Sequence, residues 1–384
     1  MTDLLTDLNP QQRLAVETTE GPVLMLAGAG SGKTKALTHR IAYLVAVKHV
    51  SPLNILAVTF TNKAAGEMRT RVLKLLGQRD DQRGYLPYMG TFHSICVRLL
   101  RREAAGIGLA PNFVIFDAAD SLSAVKTAMR RRQLDEKQFA PSLMANLISS
   151  AKNELIDPKG YAALARGPAQ EVAAKVYPVY QTILREAGAL DFDDLIFETV
   201  KMLKKYPDIL ARWQRQFSHI LIDEYQDTNH SQYLLAKLLA AAHRNICVVG
   251  DDWQSIYSWR GANFQNILDF EKDYPEAKVI KLEQNYRSSK NILDAAHSVI
   301  SKNLVRSHKQ LWTEAAAGPG VTVEQVYNEV QEGELIVRRI EQLTGGAGQA
   351  TEPSGYRLSD FAVLYRTNAQ SRSLEEAFLR YNLP

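Results

Sequence analysis

The sequence predicts an α/β architecture: a parallel sheet with helices on both faces, interrupted by a helical insert. Three observations carry this reading. Short apolar runs recur at 22–27 ("PVLMLA"), 54–60 ("NILAVTF"), 219–223 ("HILID"), 246–250 ("ICVVG") and 278–282 ("KVIKL"). They have strand length, and most lack polar alternation, as strands buried on both sides do. Stretches of helical periodicity separate them, which gives the alternation of a sheet covered on both faces. Finally, a glycine-rich turn, "AGAGSGKT" (27–34), joins the first run to a helix.

Taken in order, the opening helix is "NPQQRLAVETT", with Asn9 as N-cap and Pro10 at the first helical position. Helices follow from Gly32 and from near Lys63. Between roughly 106 and 190 the pattern changes. Segments 118–133, 141–152 and 169–187 have helical periodicity with no convincing buried strand, which predicts an inserted helical subdomain. Its "MRRRQ" (129–133) reads as a solvated helix face rather than a specific nucleic-acid contact. After 283 a second unit begins, with helix 288–303, a strand near 321–327, helix 329–343, a loop at 345–355, a strand at 360–366 and helix 370–381. A βαβ unit just started is not a natural end for a domain, so the chain is expected to be a fragment.

The 384 residues, 46% hydrophobic and 23% charged, suit a globular chain of two or three domains. A net charge of +4 and a pI near 8.8 permit a polyanionic partner without demanding one. Cys96 and Cys247 have no CxxC spacing, so buried free thiols are expected rather than a zinc site or a disulfide framework. "MTDLLTDLNPQQ" lacks a basic segment followed by an apolar one, and no apolar run approaches the ~20 residues that span a bilayer. A cytoplasmic protein without membrane partners is expected.

Strand, glycine-rich turn and helix together make a phosphate-binding loop. Backbone N–H groups of Ala27, Gly28, Ala29, Gly30, Ser31 and Gly32 and the following helix N-terminus suit phosphate oxygens. Lys33 adds a point charge, and the Thr34 hydroxyl can ligate Mg²⁺. Such a loop needs an acid at the end of a neighbouring strand, and "ILIDEYQD" (220–227) supplies two. Asp223 suits the Mg²⁺ shell and Glu224 suits polarisation of an attacking water.

With these come "LNPQQRLAV", "VTFTNKAAGEM", "GTFHSICVRLL", "LDFDDLI", "GDDWQSIYSWRGA", "LEQNYRSS" and "FAVLYRTNAQSRSLEE", in that order. Together these motifs resemble the superfamily 1 DNA helicases of the UvrD/Rep/PcrA group, PcrA-type members above all, over essentially the whole chain. The resemblance implies a RecA-like P-loop NTPase sheet over 1–105 and 191–280, an inserted helical subdomain over 106–190, and part of a second RecA-like domain over 281–384. It implies ATP and Mg²⁺ as cofactors. It places Gln12 at the adenine edge, Tyr286 stacked on the base, Arg287 on the γ-phosphate and Gln254 as its sensor. Lys35 stands where relatives often carry an arginine over the base, and an ammonium stacks less well than a guanidinium.

The same resemblance makes Tyr257 and Trp259 a platform for single-stranded bases, each stacking contact worth roughly 1–3 kcal/mol. Arg260 is implied to help couple the two sites. Further DNA contacts are implied for Phe60, Asn62, Lys63, Thr91, Phe92, His93 and Phe192. Relatives usually carry an acidic or small residue at Trp253, and the resemblance gives that ring no role. The function implied is ATP-driven 3′–5′ movement along single-stranded DNA and at single-strand/duplex junctions, in repair or replication. The 384-residue chain alone is expected to bind nucleotide and to hydrolyse it poorly. Two other readings are a nucleotide-switched DNA-binding module, which an intact Glu224 argues against, and the helicase part of a helicase–nuclease, which the PcrA-like motif spacing argues against.

Overall fold

The short apolar runs fold as parallel strands. A computed structural model describes residues 4–79, 83–257, 261–345 and 356–384. Its strands are β1 Val23–Ala27, β2 Ile55–Thr59, β3 Met89–Thr91, β4 Val114–Phe116, β5 Ala189–Asp191, β6 His219–Ile222, β7 Ile246–Gly250 and β8 Lys278–Leu282. Six form one parallel sheet in the order β3-β2-β6-β7-β1-β8. Alternate residues serve two cores. Leu24 and Leu26 of β1 join Ile246 and Val248 of β7 on one face, while Val23 and Met25 join Cys247 and Val249 on the other. Where both faces are covered the strands carry no polar alternation, whereas the edge strand β8 exposes Lys278 and Lys281. Cys96 and Cys247 are free thiols inside these cores, and burial pushes the Cys96 thiol up to about 12.

Local signals set the helix starts. Asn9 Oδ1 accepts the Gln12 N–H at 2.7 Å and the Gln12 side chain accepts the Asn9 N–H at 3.2 Å, a reciprocal cap for Pro10–Glu17. Gly32, at φ 81°, precedes Lys33–Ala46, and Thr61 caps Asn62–Leu75. The insert folds as helices Ala118–Arg131, Pro141–Asn153, Pro158–Leu164 and Pro168–Glu186 around its own core of Val125, Met129, Met144, Ile148, Val176 and Tyr177. One expectation is corrected here. The insert is bounded by a two-stranded parallel ladder, Val114–Phe116 with Ala189–Asp191, which stitches its entry to its exit. Three residues per strand are too few for periodicity to register. In the "MRRRQ" run Arg130 pairs with Glu136 and Arg131 with Glu186, both at 3.0 Å, and Met129 is core.

Chain contacts divide the molecule into two compact units, Met1–Pro319 and Gly320–Pro384. In the second, helices Glu329–Thr344 and Ser371–Arg380 pack so closely that a Cβ at Gly333 would lie 2.7 Å from that of Ala377. The strands expected near 321–327 and 360–366 do not form among the described residues. Neither segment pairs into a ladder, and Asp360 closes a short 3-10 turn, Leu358–Asp360. No described helix is long and apolar enough to cross a membrane.

A buried histidine at the start of β6 makes stability pH-dependent. His219 is 7% exposed and its Nε2 makes no hydrogen bond. Burial, only partly opposed by Glu20, pushes its pKa from 6.5 down to about 4, with Arg40 and His243 adding to the fall. The folded imidazole therefore stays neutral where the unfolded one takes a proton. Its contribution is complete above pH 6.5 and is lost as pH falls toward 4, by roughly 3 kcal/mol at most. His219→Gln is expected to flatten that part of the stability curve, read from urea midpoints between neutral and acid pH.

Candidate functional site

Parallel register brings the motifs to one edge of the sheet. Thr59 pairs with Thr91, Val58 with Ile222, Ile222 with Val248, Leu26 with Gly250, and Ala27 with Leu282. The residues that follow each strand emerge side by side at the carboxyl ends, where open α/β sheets take their ligands. These are Phe92 and His93, Phe60 to Lys63, Asp223 and Glu224, the 251–257 loop, the 27–34 turn, and 283–287.

The turn is built around its glycines. Gly30 and Gly32 adopt φ 69° and 81°, a region that side chains disfavour. A Cβ at Gly30 would lie 2.7 Å from Asn285 Nδ2 and from Arg287 Cβ, and one at Gly32 would lie 2.5 Å from Gln12 Nε2. Carbonyls of the turn are taken by neighbours. The Tyr286 N–H donates to Gly30 O at 2.9 Å, Asn285 Nδ2 to Ala29 O at 2.6 Å, and Gln12 Nε2 to Ser31 O at 2.9 Å. Gln12 is thus 1% exposed and braces the turn, with one N–H and part of its oxygen uncommitted. Tyr286 is 57% exposed, its hydroxyl donating to Gln284 and accepting from Asn9, both at 2.8 Å. Lys35 donates to the Asp7 carbonyl. Gly30→Ala is expected to lower affinity for an ATP analogue at least tenfold, by titration calorimetry, because both backbone strain and the Asn285 contact oppose it.

Beside the turn stand the acids. Lys33 Nζ donates to Glu224 Oε2 at 3.0 Å, and Gln226 Nε2 donates to the same oxygen at 2.9 Å. Glu224 holds φ 52°, uncommon for a non-glycine residue and of the kind that clusters at functional sites. Asp223 is 4% exposed. Burial, then the Glu224 charge, pushes its pKa up to about 7 against the pull of Lys33. Burial and Glu224 likewise raise Asp227 to about 6, and its buried Oδ1 has no hydrogen-bond partner. Three carboxyl groups around one ammonium are short of positive charge. No three acidic, histidine or cysteine side chains among the described residues group closely enough to cage a metal ion by themselves. A divalent cation here therefore suits one or two of these carboxylates together with phosphate oxygens, and it would lower the raised pKa values of the acids it touches.

The nucleic-acid candidates divide by exposure. Phe192 is 52% exposed, Tyr257 is 40% exposed, and Asn62 and Lys63 are also exposed. His93 lies edge-on to Phe192 at 5.7 Å, and burial lowers its pKa. Thr91 is an N-cap, its hydroxyl accepting the Ser94 N–H at 3.2 Å. Phe92 is 4% exposed and packs edge-on to half-buried Phe60 at 5.9 Å. It is a core ring against which Phe60 packs. Trp259 and Arg260 lie outside the described residues. Gln254 Nε2 donates to Asp251, and Arg287, exposed, has its backbone N–H held by Asn285 Oδ1 at 2.8 Å.

Three residues that motif reading passed over connect these parts. Gln226 accepts the Asp251 N–H at 2.9 Å while donating to Glu224. Asn285 ties the turn to Arg287, and its only sequence signal was its place ahead of "YR". Lys309 is buried against Asp251 and Asp252, and nothing in the local sequence marks it.

Comparison with known proteins identifies the family. The chain is 52% identical over 380 residues to the ATP-dependent DNA helicase PcrA of Bacillus subtilis (strain 168), covering 99% of this chain and 50% of that protein. It is 49% identical over 384 residues to the protein of the same name in Staphylococcus aureus (strain Mu50), covering 100% of this chain and 51% of that one. The chain thus spans about half the length of these relatives. Among solved structures, the Pif1 helicase from Candida albicans is matched at 11% identity and a TM-score of 0.30, over 71% of this chain and 40% of that chain. The model of the UvrD/REP helicase N-terminal domain matches residues 8–275 and that of the UvrD-like helicase C-terminal domain matches residues 280–384. By both domain models, in order and along nearly the whole sequence, the chain belongs to the UvrD/REP helicase family.

Proposed function

We propose that this chain carries the ATP site and much of the single-strand grip of a 3′–5′ DNA helicase acting at single-strand/duplex junctions in repair or replication. The observation that carries the reading is a continuous polar chain at the sheet edge. It runs from Lys33 through Glu224 and Gln226 to Asp251, at the head of the loop that bears Tyr257. Nucleotide chemistry and base contact therefore share one connected element.

In this reading the 27–34 turn and Lys33 bind the phosphates, Gln12 and Tyr286 flank the adenine, and Arg287 reaches the γ-phosphate. Thr34 and Asp223 would hold Mg²⁺, which supplies charge neutralisation on the phosphate oxygens. Glu224 orients the attacking water and takes its proton, and Gln254 reports the phosphate's state to the loop. Tyr257 and Trp259 stack on bases, with Phe60 and Phe192 alongside and Asn62, Lys63, Thr91 and His93 toward the backbone. Arg260 links the two sites. Tyr257→Ala is expected to weaken binding of labelled oligo-dT by about 5- to 100-fold in fluorescence anisotropy, with affinity for an ATP analogue unchanged. Undiminished oligo-dT affinity would remove Tyr257 from the grip.

A further inference from the structure

The 251–257 loop is held by a part of the chain that the nucleotide and DNA motifs do not include. Asp251 and Asp252 follow β7 in succession and both are buried. Two adjacent carboxylates out of water repel one another and each costs desolvation, so they need a countercharge. Lys309 provides it. Its side chain is 0% exposed and its ammonium contacts Asp251 Oδ1 and, at 2.9 Å, Asp252 Oδ1. Ser307 completes the Asp252 shell, donating its N–H and its hydroxyl at 2.6 Å each. Burial raises the Asp252 pKa, but Lys309 and Ser307 outweigh it and hold it below the ordinary carboxylate range.

Trp253 closes the cluster. Its indole N–H donates to Ser307 O at 3.3 Å, and its ring centroid lies 4.6 Å from Lys309 Nζ, 5.9 Å from Arg306 Cζ and 5.9 Å from the His297 ring. The tryptophan without a role in the motif reading is thus the wall of a cation–π clasp.

The segment that carries Lys309 also touches the phosphate loop. Leu311 covers Gly28 so closely that a Cβ there would lie 2.1 Å from Leu311 Cδ2. The Asn285 N–H donates to Trp312 O at 2.8 Å, and the Gln310 N–H to Glu283 Oε1 at 2.7 Å. Asn285 in turn holds Ala29 O and the Arg287 N–H. One short segment is therefore fastened at three points: the phosphate loop, the strand end leading to Arg287, and the head of the loop that bears Tyr257.

We propose that Lys309 is a positioning residue for coupling between nucleotide and DNA, clasping Asp251 and Asp252 so that displacement at the phosphate loop reaches the base-binding loop. The proposal rests on the reading of the chain as an ATP-driven DNA translocase. The test is the affinity of the full-length chain for labelled oligo-dT, with and without a non-hydrolysable ATP analogue and Mg²⁺. The parent is expected to show a ratio of at least about fivefold between the two affinities. Lys309→Met is expected to bring that ratio to within about twofold of one, with analogue affinity within about threefold of the parent, and Lys309→Arg to restore part of it. Should Lys309→Met not fold, Asp252→Asn, which keeps Asp251 for the ammonium, is expected to lower the ratio at least about threefold. A folded Lys309→Met chain, or a Lys309→Arg and Asp252→Asn pair, with the parent ratio would overturn the proposal. So would parallel loss of analogue binding, which marks a merely structural role. A parent ratio of one would instead sink the translocase reading, and the proposal with it.

Discussion

Glu224→Gln is expected to lower DNA-stimulated ATP hydrolysis by about 10²- to 10⁴-fold while leaving ATP–Mg²⁺ affinity within about threefold of the parent. Glutamine keeps the shape of the side chain and an oxygen for Lys33 or Gln226, which both donate to Glu224 Oε2. It cannot take a proton. The loss should therefore fall on kcat and on single-turnover rates, with KM little changed. Lys33→Ala serves as the contrast, since removing a phosphate-binding charge should cost nucleotide affinity itself. Turnover above about a tenth of the parent in Glu224→Gln would take the role of base away from this residue.

Lys152→Met is expected to destabilise the first compact unit by about 3–5 kcal/mol, the cost of leaving buried charge without its partner. Lys152 is 0% exposed and contacts Asp191 Oδ2 at 2.6 Å and Asp194 Oδ1 at 2.8 Å. Tyr180 donates to Asp191 at 2.6 Å and Gln181 to Asp194 at 3.0 Å. Burial opposes charge on both acids. Lys152 and Tyr180 nevertheless hold Asp191 below the ordinary carboxylate range, whereas burial carries Asp194 up to about 6. Asp191 also caps the Phe192–Lys205 helix, so the network fastens the helical insert to the helix that presents Phe192. Urea melts should show the midpoint falling at constant slope. Removing Asp194 as well, in Lys152→Met/Asp194→Leu, should recover part of the loss.

What the sequence disclosed, and what it hid, follows from the reach of each signal. β1, β2, β6 and β7 were legible because burial on both faces leaves an unbroken apolar run. β3, β4 and β5 were not, because three residues carry no period. The runs 321–327 and 360–366 have the length and residue types of strands, and a ladder also needs a neighbour that composition does not report. Gln12, Lys33, Asp223 and Glu224 were readable as motif residues. Their connectors were not: Lys309 lies 58 positions from Asp251 and Asn285 lies 256 from Ala29. "TFH" does not say which of its rings turns inward; the onset of the Phe92–Ile107 helix does, and it buries Phe92. Trp253, opaque in sequence, is explained by the lysine it covers.

The claim at the centre of this account is that phosphate chemistry and base contact are joined through the 251–257 loop. Steady-state ATP hydrolysis by the full-length chain, with and without oligo-dT, tests it most directly, with Trp259→Ala alongside. Stimulation of at least about tenfold is expected in the parent, from loss of a barrier worth one such factor per 1.4 kcal/mol, and most of it is expected to be lost in Trp259→Ala. Turnover indifferent to DNA in the parent would contradict it.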